Sequence, residues 1–211
     1  MSPALRHTER VAAALAARIC TGQWPENHKF PADTDLCAEF DVSRTVIREA
    51  LRLLGGKGLI QALPRRGTHV AARQFWAIWD KDVLKWLADA ANYPNKYDLS
   101  GHALDIRLAL EPTLAALAAA RADDKTNGAL QEALRLVQQN ADYPAEMGFL
   151  AAFYRAAAND FAVAALPLAD FAVKQRSDAP PLDAYRRLTA AIAQKDGVAA
   201  RQAALQALLS T

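Results

Sequence analysis

This chain of 211 residues has few cysteines and no long apolar segment, and each of these features excludes a class of protein. The two cysteines, Cys20 and Cys37, fall in separate predicted helices without metal-type spacing. This excludes a disulfide framework and predicts buried free thiols. No apolar run is long enough to span a bilayer, and residues 1–11 are too polar for a signal peptide. With 9 Gly and 10 Pro in a chain that is 52% hydrophobic, we expect a helix-rich cytoplasmic protein with no membrane partner.

The net charge of +2 is unevenly distributed along the chain. Residues 1–73 contain 11 Lys or Arg against 7 Asp or Glu, a net charge of +4. Residues 74–211 contain 14 basic against 16 acidic residues, a net charge of −2. Because phosphate attracts positive charge, this division indicates that the N-terminal third alone meets a polyanion.

Residues 42–54 predict a helix with one packing face and one basic face. Ser43 is a natural N-cap, since its hydroxyl accepts a hydrogen bond from a free N–H of the first turn. At about 100° per residue, apolar side chains share one side, and the other side carries Arg44, Thr45, Arg48 and Arg52. Such a row suits the major groove of DNA, where Arg bonds two acceptors of guanine. From this helix alone, a solvated basic face is an equally good interpretation.

Two further helices are predicted before the basic one. The first covers residues 8–21, and Gly22 terminates it. The second is short, covers residues 33–40, and turns tightly through Asp41 and Val42 into the basic helix. Two helices joined by so short a turn, the second carrying arginines, form a helix-turn-helix.

A basic hairpin is predicted directly after these helices. Residues 59–63 and 68–71 have the period of strands, and the turn between them is Pro64-Arg65-Arg66-Gly67. A plain hairpin turn is the alternative. A basic tip beside a basic helix, however, indicates a wing, which gives DNA a second and independent contact.

The N-terminal pattern resembles the GntR family of bacterial transcription regulators. The matching residues cover most of 8–72 and include Phe30-Pro31-Ala32, residues 42–51, Gly58-Leu59-Ile60 and residues 66–70. The resemblance implies that operator contacts come from Arg44, Thr45 and Arg48, with the wing supplied by Arg65, Arg66 and Gly67. We add Arg52 from the same helix face and Thr68 beside the wing. Thr34 stands where many members carry an Arg that contacts DNA.

The rest of the chain predicts a linker and an all-helical bundle. Three of the four tryptophans lie in residues 73–86, where interface packing is the favoured role and stacking on bases the alternative. Helices are predicted at residues 82–90, 101–121, 125–140, 144–158, 160–175, 182–194 and 197–209. The fold class is therefore mainly α: a winged helix-turn-helix at 1–73, a linker with a bracing helix at 74–98, and a helical bundle at 99–211. The bundle is similar to the FadR subgroup of the family.

That subgroup commonly binds a divalent metal with one Asp and three His, and this chain lacks the pattern. The aligned positions hold Glu146, Leu150, Tyr185 and about Ala207, while the chain's four histidines lie elsewhere. One carboxylate does not make a tight transition-metal site, so we expect no metal and no other cofactor.

A pocket without metal can still hold an acid by charge. Arg107 lies on the inward stripe of the first bundle helix, and a buried guanidinium needs an anionic partner. That partner is either Glu111 or Glu146 in a structural ion pair, or an acidic ligand. The candidate effector residues are Arg107, Glu146, Tyr154, Asn159, Lys174 and Tyr185.

These features predict a transcription regulator that binds an inverted-repeat operator in double-stranded DNA as a homodimer. The resemblance to the family implies that it is a repressor and that it responds to a small organic acid such as a sugar acid. In the alternative, the bundle is only a dimerisation scaffold and DNA binding is constitutive. The apolar residues Leu130, Leu134 and Val137 serve either the dimer contact or the core. We find no nucleophile with a base partner, no paired catalytic carboxylates and no phosphate loop, so we do not expect an enzyme.

Overall fold

A computed structural model describes residues 3–90 and 99–210. The chain divides into two compact units, Met1–Tyr97 and Asp98–Thr211. None of the helices within the described ranges combines the length and the apolarity needed to cross a membrane.

Three helices build the core of the first unit: α1 (Pro3–Cys20), α2 (Asp33–Phe40) and α3 (Arg44–Gly56). The first begins five residues earlier than predicted, at Pro3, and a proline suits the first turn of a helix. One face of α1 packs inward with side chains from α2 and α3. The fully buried residues of this core include Val11, Leu15, Leu36, Ile47 and Leu54. This core fixes the orientation of α3.

The turn from α2 into α3 follows the prediction in detail. Asp41 takes a left-handed backbone (φ 51°) and ends α2, with Val42 N donating to the Cys37 carbonyl. Ser43 then caps α3 by accepting from Val46 N at 3.5 Å. Cys20 and Cys37 are free thiols, but both are only partly buried rather than buried as predicted.

The hairpin consists of β1 (Ile60–Leu63) and β2 (Gly67–Val70), paired antiparallel with Ile60 opposite Val70. A single 3-10 turn over Arg73–Phe75, which the sequence did not predict, leads towards α4 (Lys81–Ala90). Helix α4 packs on α1 within the same unit. Trp76 and Trp86 are buried, whereas the side chain of Trp79 is half exposed.

An ion-pair network joins the end of α3 to the start of α4. Lys57 Nζ lies 2.6 Å from Asp80 Oδ1 and 2.9 Å from Asp82 Oδ2. Burial opposes the charges of Lys57 and Asp80. The two carboxylates around Lys57 together outweigh it, so the pKa of Lys57 is raised. Lys57 and two backbone N–H groups likewise outweigh it at Asp80, so the pKa of Asp80 is lowered. Asp80 also caps α4 by accepting from the backbone N–H of Asp82 and Val83.

The described residues of the second unit form a bundle of α5 (Leu99–Arg121), α6 (Asp124–Asn140), α7 (Tyr143–Ala156), α8 (Asp160–Ala164), α9 (Leu166–Gln175), α10 (Leu182–Ala193) and α11 (Gly197–Leu209). The prediction of one helix over residues 160–175 is wrong. Pro167 lacks an N–H and lies in the first turn of α9, so the chain breaks at Ala165 into two helices.

The core of this bundle is centred on Phe149, Phe153 and Tyr154, which are fully buried. Leu130 and Val137 are buried in the same core, and Leu134 packs against it. Core packing, the second of the two roles weighed for these residues, therefore accounts for them, and they do not supply a free dimer face.

Candidate nucleic-acid interface and helical cavity

The basic face of α3 is exposed in the folded first unit. The side chains of Arg48 and Arg52 are 73% and 78% exposed, and Arg44 and Thr45 in the first turn are exposed as well. On the opposite side Ile47 and Ala50 are fully buried. The helix is thus anchored by one face while the other is available to a partner.

Two carboxylates hold these arginines in the free protein. Arg48 Nε donates to Asp33 Oδ2 at the start of α2 (3.2 Å), and Arg52 Nη2 lies 2.9 Å from Glu49 Oε2. Exposed ion pairs contribute roughly 0 to 1 kcal/mol. A bidentate contact between Arg and guanine is worth roughly 1 to 3 kcal/mol. Neither ion pair is therefore strong enough to keep its arginine from a partner that binds guanidinium groups.

The hairpin turn presents a second basic surface. Arg65 and Arg66 are exposed, and neither forms an ion pair with any described residue. Arg65 takes a left-handed backbone (φ 60°), Gly67 follows at φ 88°, and Thr68 is half-buried. These backbone angles turn the chain within three residues, so both guanidinium groups project from the tip.

Lys29 is a further cation at the wing that the sequence pattern did not reveal. Its backbone bridges to His69 of β2, and its side chain lies beside Gly67. The pairing joins residues 40 positions apart, so no local spacing signals it. The wing surface therefore comprises Lys29, Arg65 and Arg66.

Comparison with known proteins decides the family. Residues 7–70, which contain the helix-turn-helix and the hairpin, match the family described as bacterial regulatory proteins, gntR family. The galactonate operon transcriptional repressor of Escherichia coli strain K12 is 31% identical over 98% of this chain and 96% of its own length. The chain belongs to the GntR family. It is a DNA-binding transcription regulator.

Solved structures share the fold of this GntR protein. The GntR protein of Streptococcus agalactiae matches with a TM-score of 0.51 and 24% identity, covering 96% of this chain and 98% of that one. A structure described as Lar, which controls expression of the Listeria monocytogenes agr system, matches with a TM-score of 0.58 and 17% identity, covering 96% and 93%. The predicted class, a winged helix-turn-helix followed by a helical domain, is confirmed.

Within the helical unit, Arg107 pairs with Glu111 one turn along α5. Its Nε donates to Glu111 Oε1 at 2.6 Å, and that oxygen also accepts from the hydroxyl of Tyr154 at 2.8 Å. Burial opposes the charge of Arg107, but the Glu111 carboxylate outweighs it, so the pKa of Arg107 is raised. Of the two predicted structural partners, Glu111 is the one in contact.

A second buried cluster is centred on Glu146. Oε2 accepts from Arg176 Nη2 at 2.5 Å, and Oε1 accepts from the Tyr185 hydroxyl at 2.7 Å. Tyr185 also stacks on Phe149, with ring centroids 4.3 Å apart. Sequence reasoning missed Arg176. The available signal was that an inward Glu146 requires a cation, and the pair is separated by 30 positions.

A cavity of about 170 Å³ lies between α5 and α9, beside both clusters. Two of its lining residues are Arg107 and Arg176, so it brings the two guanidinium groups to one space. Its remaining lining is formed by Ser100, Leu104, Ala172, Val173 and Gln175. Each of the two guanidinium groups is already paired with a carboxylate, Arg107 with Glu111 and Arg176 with Glu146.

Two predicted effector residues, Asn159 and Lys174, belong neither to the two buried clusters nor to the lining of this cavity. Asn159 caps α8 by accepting from the backbone N–H groups of Phe161 and Ala162. Lys174 is exposed on α9, where it pairs with Asp170 at 2.8 Å. Both side chains are committed to local contacts, so the convergence predicted for them is wrong.

The metal positions of the subgroup do not fit a divalent ion here. Both oxygens of Glu146 already accept hydrogen bonds, and Leu150 and Ala207 carry no donor atom. Burial, reinforced by the Glu146 carboxylate, raises the pKa of Tyr185 well above its ordinary value, so its oxygen stays protonated at neutral pH. Over residues 3–90 and 99–210, no group of three or more His, Cys, Asp or Glu side chains is placed to hold a metal.

Proposed function

We propose that this GntR protein is a homodimeric repressor that binds an inverted-repeat operator through α3 and the wing surface, and that a small organic acid releases it. The observation that carries the proposal is the exposed row of arginines on α3, anchored by a buried opposite face and flanked by a basic hairpin tip. A row of this kind fits the major groove, which an α-helix can enter.

The proposed contacts divide into base recognition and backbone binding. Arg44, Thr45 and Arg48 lie in the first turns of α3, the part of a recognition helix that approaches base edges. Arg52 lies one turn further along and suits a phosphate. The wing contributes Arg65, Arg66 and the backbone of Gly67, with Thr68 beside it. Lys29 adds a cation beside Gly67, and a cation at the wing suits the phosphates of the DNA backbone.

Dimerisation follows from the size of the site. One recognition helix spans only a few base pairs, and two related by a dyad reach successive major grooves. An operator with inverted repeats matches that symmetry. Repression is supported by the relative from Escherichia coli, which is named as a repressor of the galactonate operon. That name also places sugar acids in the ligand panel to be tested.

The DNA-binding surface is tested with a duplex selected from random sequences by the wild-type protein. Arg48→Ala removes one proposed base contact per protomer. Because the side chain is 73% exposed, the fold is unaffected. Arg135→Ala is the matched control, since Arg135 is also exposed and paired with a nearby carboxylate, but lies on α6 of the helical unit.

At roughly 1 to 3 kcal/mol per contact and two protomers per operator, Arg48→Ala weakens binding by roughly 30-fold to 10⁴-fold and relaxes the base preference. Arg135→Ala leaves affinity unchanged. Fluorescence anisotropy measures both, and footprinting shows whether the protected site is an inverted repeat. Equal affinities for the two variants would refute the role of Arg48, and protection of a single half-site would refute the dimer.

A constitutive regulator with a scaffold bundle is the second candidate. One observation favours it: the buried charges already form ion pairs within the protein, Arg107 with Glu111 and Arg176 with Glu146. Thermal unfolding with a panel of sugar acids, dicarboxylates and short monocarboxylates separates the two candidates. Stabilisation by an acid that also releases the operator supports the responsive regulator, whereas no shift with any acid supports the scaffold.

A further inference from the structure

A carboxylate lies beside the basic face of α3. Asp33 is the first residue of α2, and its Oδ2 accepts a hydrogen bond from Arg48 Nε at 3.2 Å. Phosphate groups repel a carboxylate, so a negative charge at a DNA-binding surface weakens binding to every sequence alike. Asp33 therefore does not serve general affinity for DNA.

The fold fixes the two backbones that carry this ion pair. Leu36, which follows Asp33 by three residues in α2, is fully buried, and so is Ile47, directly before Arg48 in α3. Helices α2 and α3 pack against each other through these side chains. Asp33 thus contacts Arg48 from a different helix whose position is set by the core.

The ion pair leaves the outer donors of the guanidinium group available. The group is a planar fork of five N–H donors. Arg48 uses Nε for Asp33, and neither Nη1 nor Nη2 donates to any residue that the structure describes. Those two nitrogens suffice for the O6 and N7 acceptors of guanine. Asp33 and a guanine therefore do not compete for the same donors.

An arginine that is held in place discriminates better between bases. An exposed arginine loses rotamer freedom when it contacts a base, and ordering one such side chain costs a factor of roughly 2 to 13 in affinity. A side chain already held by a carboxylate loses less. Without the carboxylate, the guanidinium group can also turn to a neighbouring phosphate when the base is wrong, and phosphate contacts carry no sequence information.

The ion pair also gains strength when DNA covers it. In the free protein the Arg48 side chain is 73% exposed, so water and salt screen its attraction to Asp33. A bound duplex excludes water from this surface, and the same attraction is then stronger because the local dielectric is lower. The contact that orients Arg48 is therefore strongest in the complex, where orientation matters.

We propose that Asp33 is a positioning residue for base recognition. Its carboxylate holds Arg48 so that the guanidinium group contacts a guanine rather than the phosphate backbone. Asp33 thereby lowers general affinity for DNA and raises discrimination between sequences. The inference rests on the proposed contact between Arg48 and a base.

Asp33→Asn tests the proposal because Asn keeps the size of Asp and removes its charge. Discrimination is the ratio of two affinities measured by fluorescence anisotropy: that for the selected operator, and that for the same duplex changed at the base pair whose preference Arg48→Ala relaxes. Asp33→Asn is expected to lower this ratio by at least about threefold per half-site. It should bind a scrambled duplex as tightly as wild type or more tightly, because a repulsive charge is gone.

Asp35→Asn is the matched control. Asp35 is exposed in the same first turn of α2 and forms no ion pair within the described part of the chain. It shares with Asp33 the favourable interaction with the helix dipole, so an effect caused by a weakened α2 would appear in both variants. Asp35→Asn should keep the wild-type ratio. An equal ratio in the two variants, or a loss of affinity for every duplex alike in Asp33→Asn, would overturn the proposal.

A double variant separates positioning from direct base contact. A carboxylate can itself accept from cytosine, and Asp33→Asn would then lower discrimination whether or not Arg48 is present. If Asp33 acts through Arg48, adding Asp33→Asn to Arg48→Ala changes the ratio by less than about twofold. A further loss of threefold or more would refute the positioning role.

Failure of this inference is separable from failure of the proposed function. If Arg48→Ala leaves operator affinity unchanged, the proposed base contact fails and the role of Asp33 fails with it. If Arg48→Ala weakens the operator complex while Asp33→Asn leaves the ratio unchanged, the base contact stands and only the positioning role fails.

Discussion

Replacement of Gly58 by Ala should destabilise the first unit by more than the cost of placing an alanine in a left-handed backbone. Gly58 has φ 74°, and an added Cβ would lie 2.0 Å from the carbonyl oxygen of Phe75. That backbone is held close by Ala77 N, which donates to the Lys57 carbonyl at 2.9 Å, and by the buried Trp76. Relief of the clash therefore requires the 3-10 turn to move away from the end of α3.

The expected magnitude has two parts. A left-handed backbone at a residue with a Cβ costs roughly 1 to 2 kcal/mol. Loss of one backbone hydrogen bond in the displaced segment costs roughly 1 to 3 kcal/mol more. Gly58→Ala should therefore reduce the free energy of unfolding by about 2 to 5 kcal/mol, a large share of the stability of an ordinary domain.

Two other glycines provide matched controls. Gly67 has φ 88°, but its added Cβ would meet only the Lys29 side chain at 3.7 Å, so Gly67→Ala should cost only the conformational part, about 1 to 2 kcal/mol. Gly55 lies in α3, where an added Cβ makes an ordinary contact of 3.9 Å with Ile60. Gly55→Ala should stabilise by up to about 1 kcal/mol, because Ala favours a helix over Gly.

Urea unfolding followed by tryptophan fluorescence measures these effects in the first unit, because that unit contains all four tryptophans: Trp24, Trp76, Trp79 and Trp86. From most to least stable, the order should be Gly55→Ala, wild type, Gly67→Ala and Gly58→Ala. Equal losses for the last two would show that the close approach of Phe75 has no energetic consequence and would refute the reasoning.

Three further predictions concern titratable groups. Asp80→Asn keeps a cap on α4 but loses the ion pair with Lys57, so wild type should be more stable by about 1 kcal/mol at neutral pH. Because the pKa of Asp80 is lowered on folding, this difference should shrink once the pH falls below the ordinary value of 3.8 and vanish below the folded-state pKa, as measured by urea unfolding. Burial raises the pKa of Cys20 to about 12, so in a Cys37→Ser variant the reaction with a disulfide reagent should keep accelerating above pH 9, and a plateau near pH 9 would contradict this. Tyr154→Phe removes a buried hydrogen bond to Glu111 and should cost about 1.5 to 3 kcal/mol in thermal unfolding followed by circular dichroism, whereas an unchanged midpoint would show that the bond contributes nothing.

Local sequence signals predicted the elements of the DNA-binding unit well. The cap at Ser43, the tight turn through Asp41 and Val42 and the alternation around the hairpin each act within a few residues. Helix periodicity then separates the exposed side of α3 from its packed side. These properties depend on short-range sterics and hydrogen bonding, which a sequence window contains.

Three errors in the helical unit also had local signals. Pro167 marked the break between α8 and α9, and an Asn directly before a helix is a common cap, which is the role of Asn159. The four-residue spacing of Asp170 and Lys174 likewise indicated a surface pair on one helix face. For Asn159 and Lys174, the general expectation of a polar pocket was given more weight than the local rule.

The sequence by itself determined the family, the order of the helices and the basic face of α3, because these follow from residue type and short spacing. Only the tertiary structure decided that Arg176 pairs with Glu146, that Lys29 joins the wing, and that Arg107 and Arg176 line one cavity. These partners are separated by tens of residues, and no periodic pattern encodes them. In the helical unit, the arginines and Glu146 meet because buried apolar faces fix how α5, α7 and α9 pack. The charged side chains then pair where that packing places them.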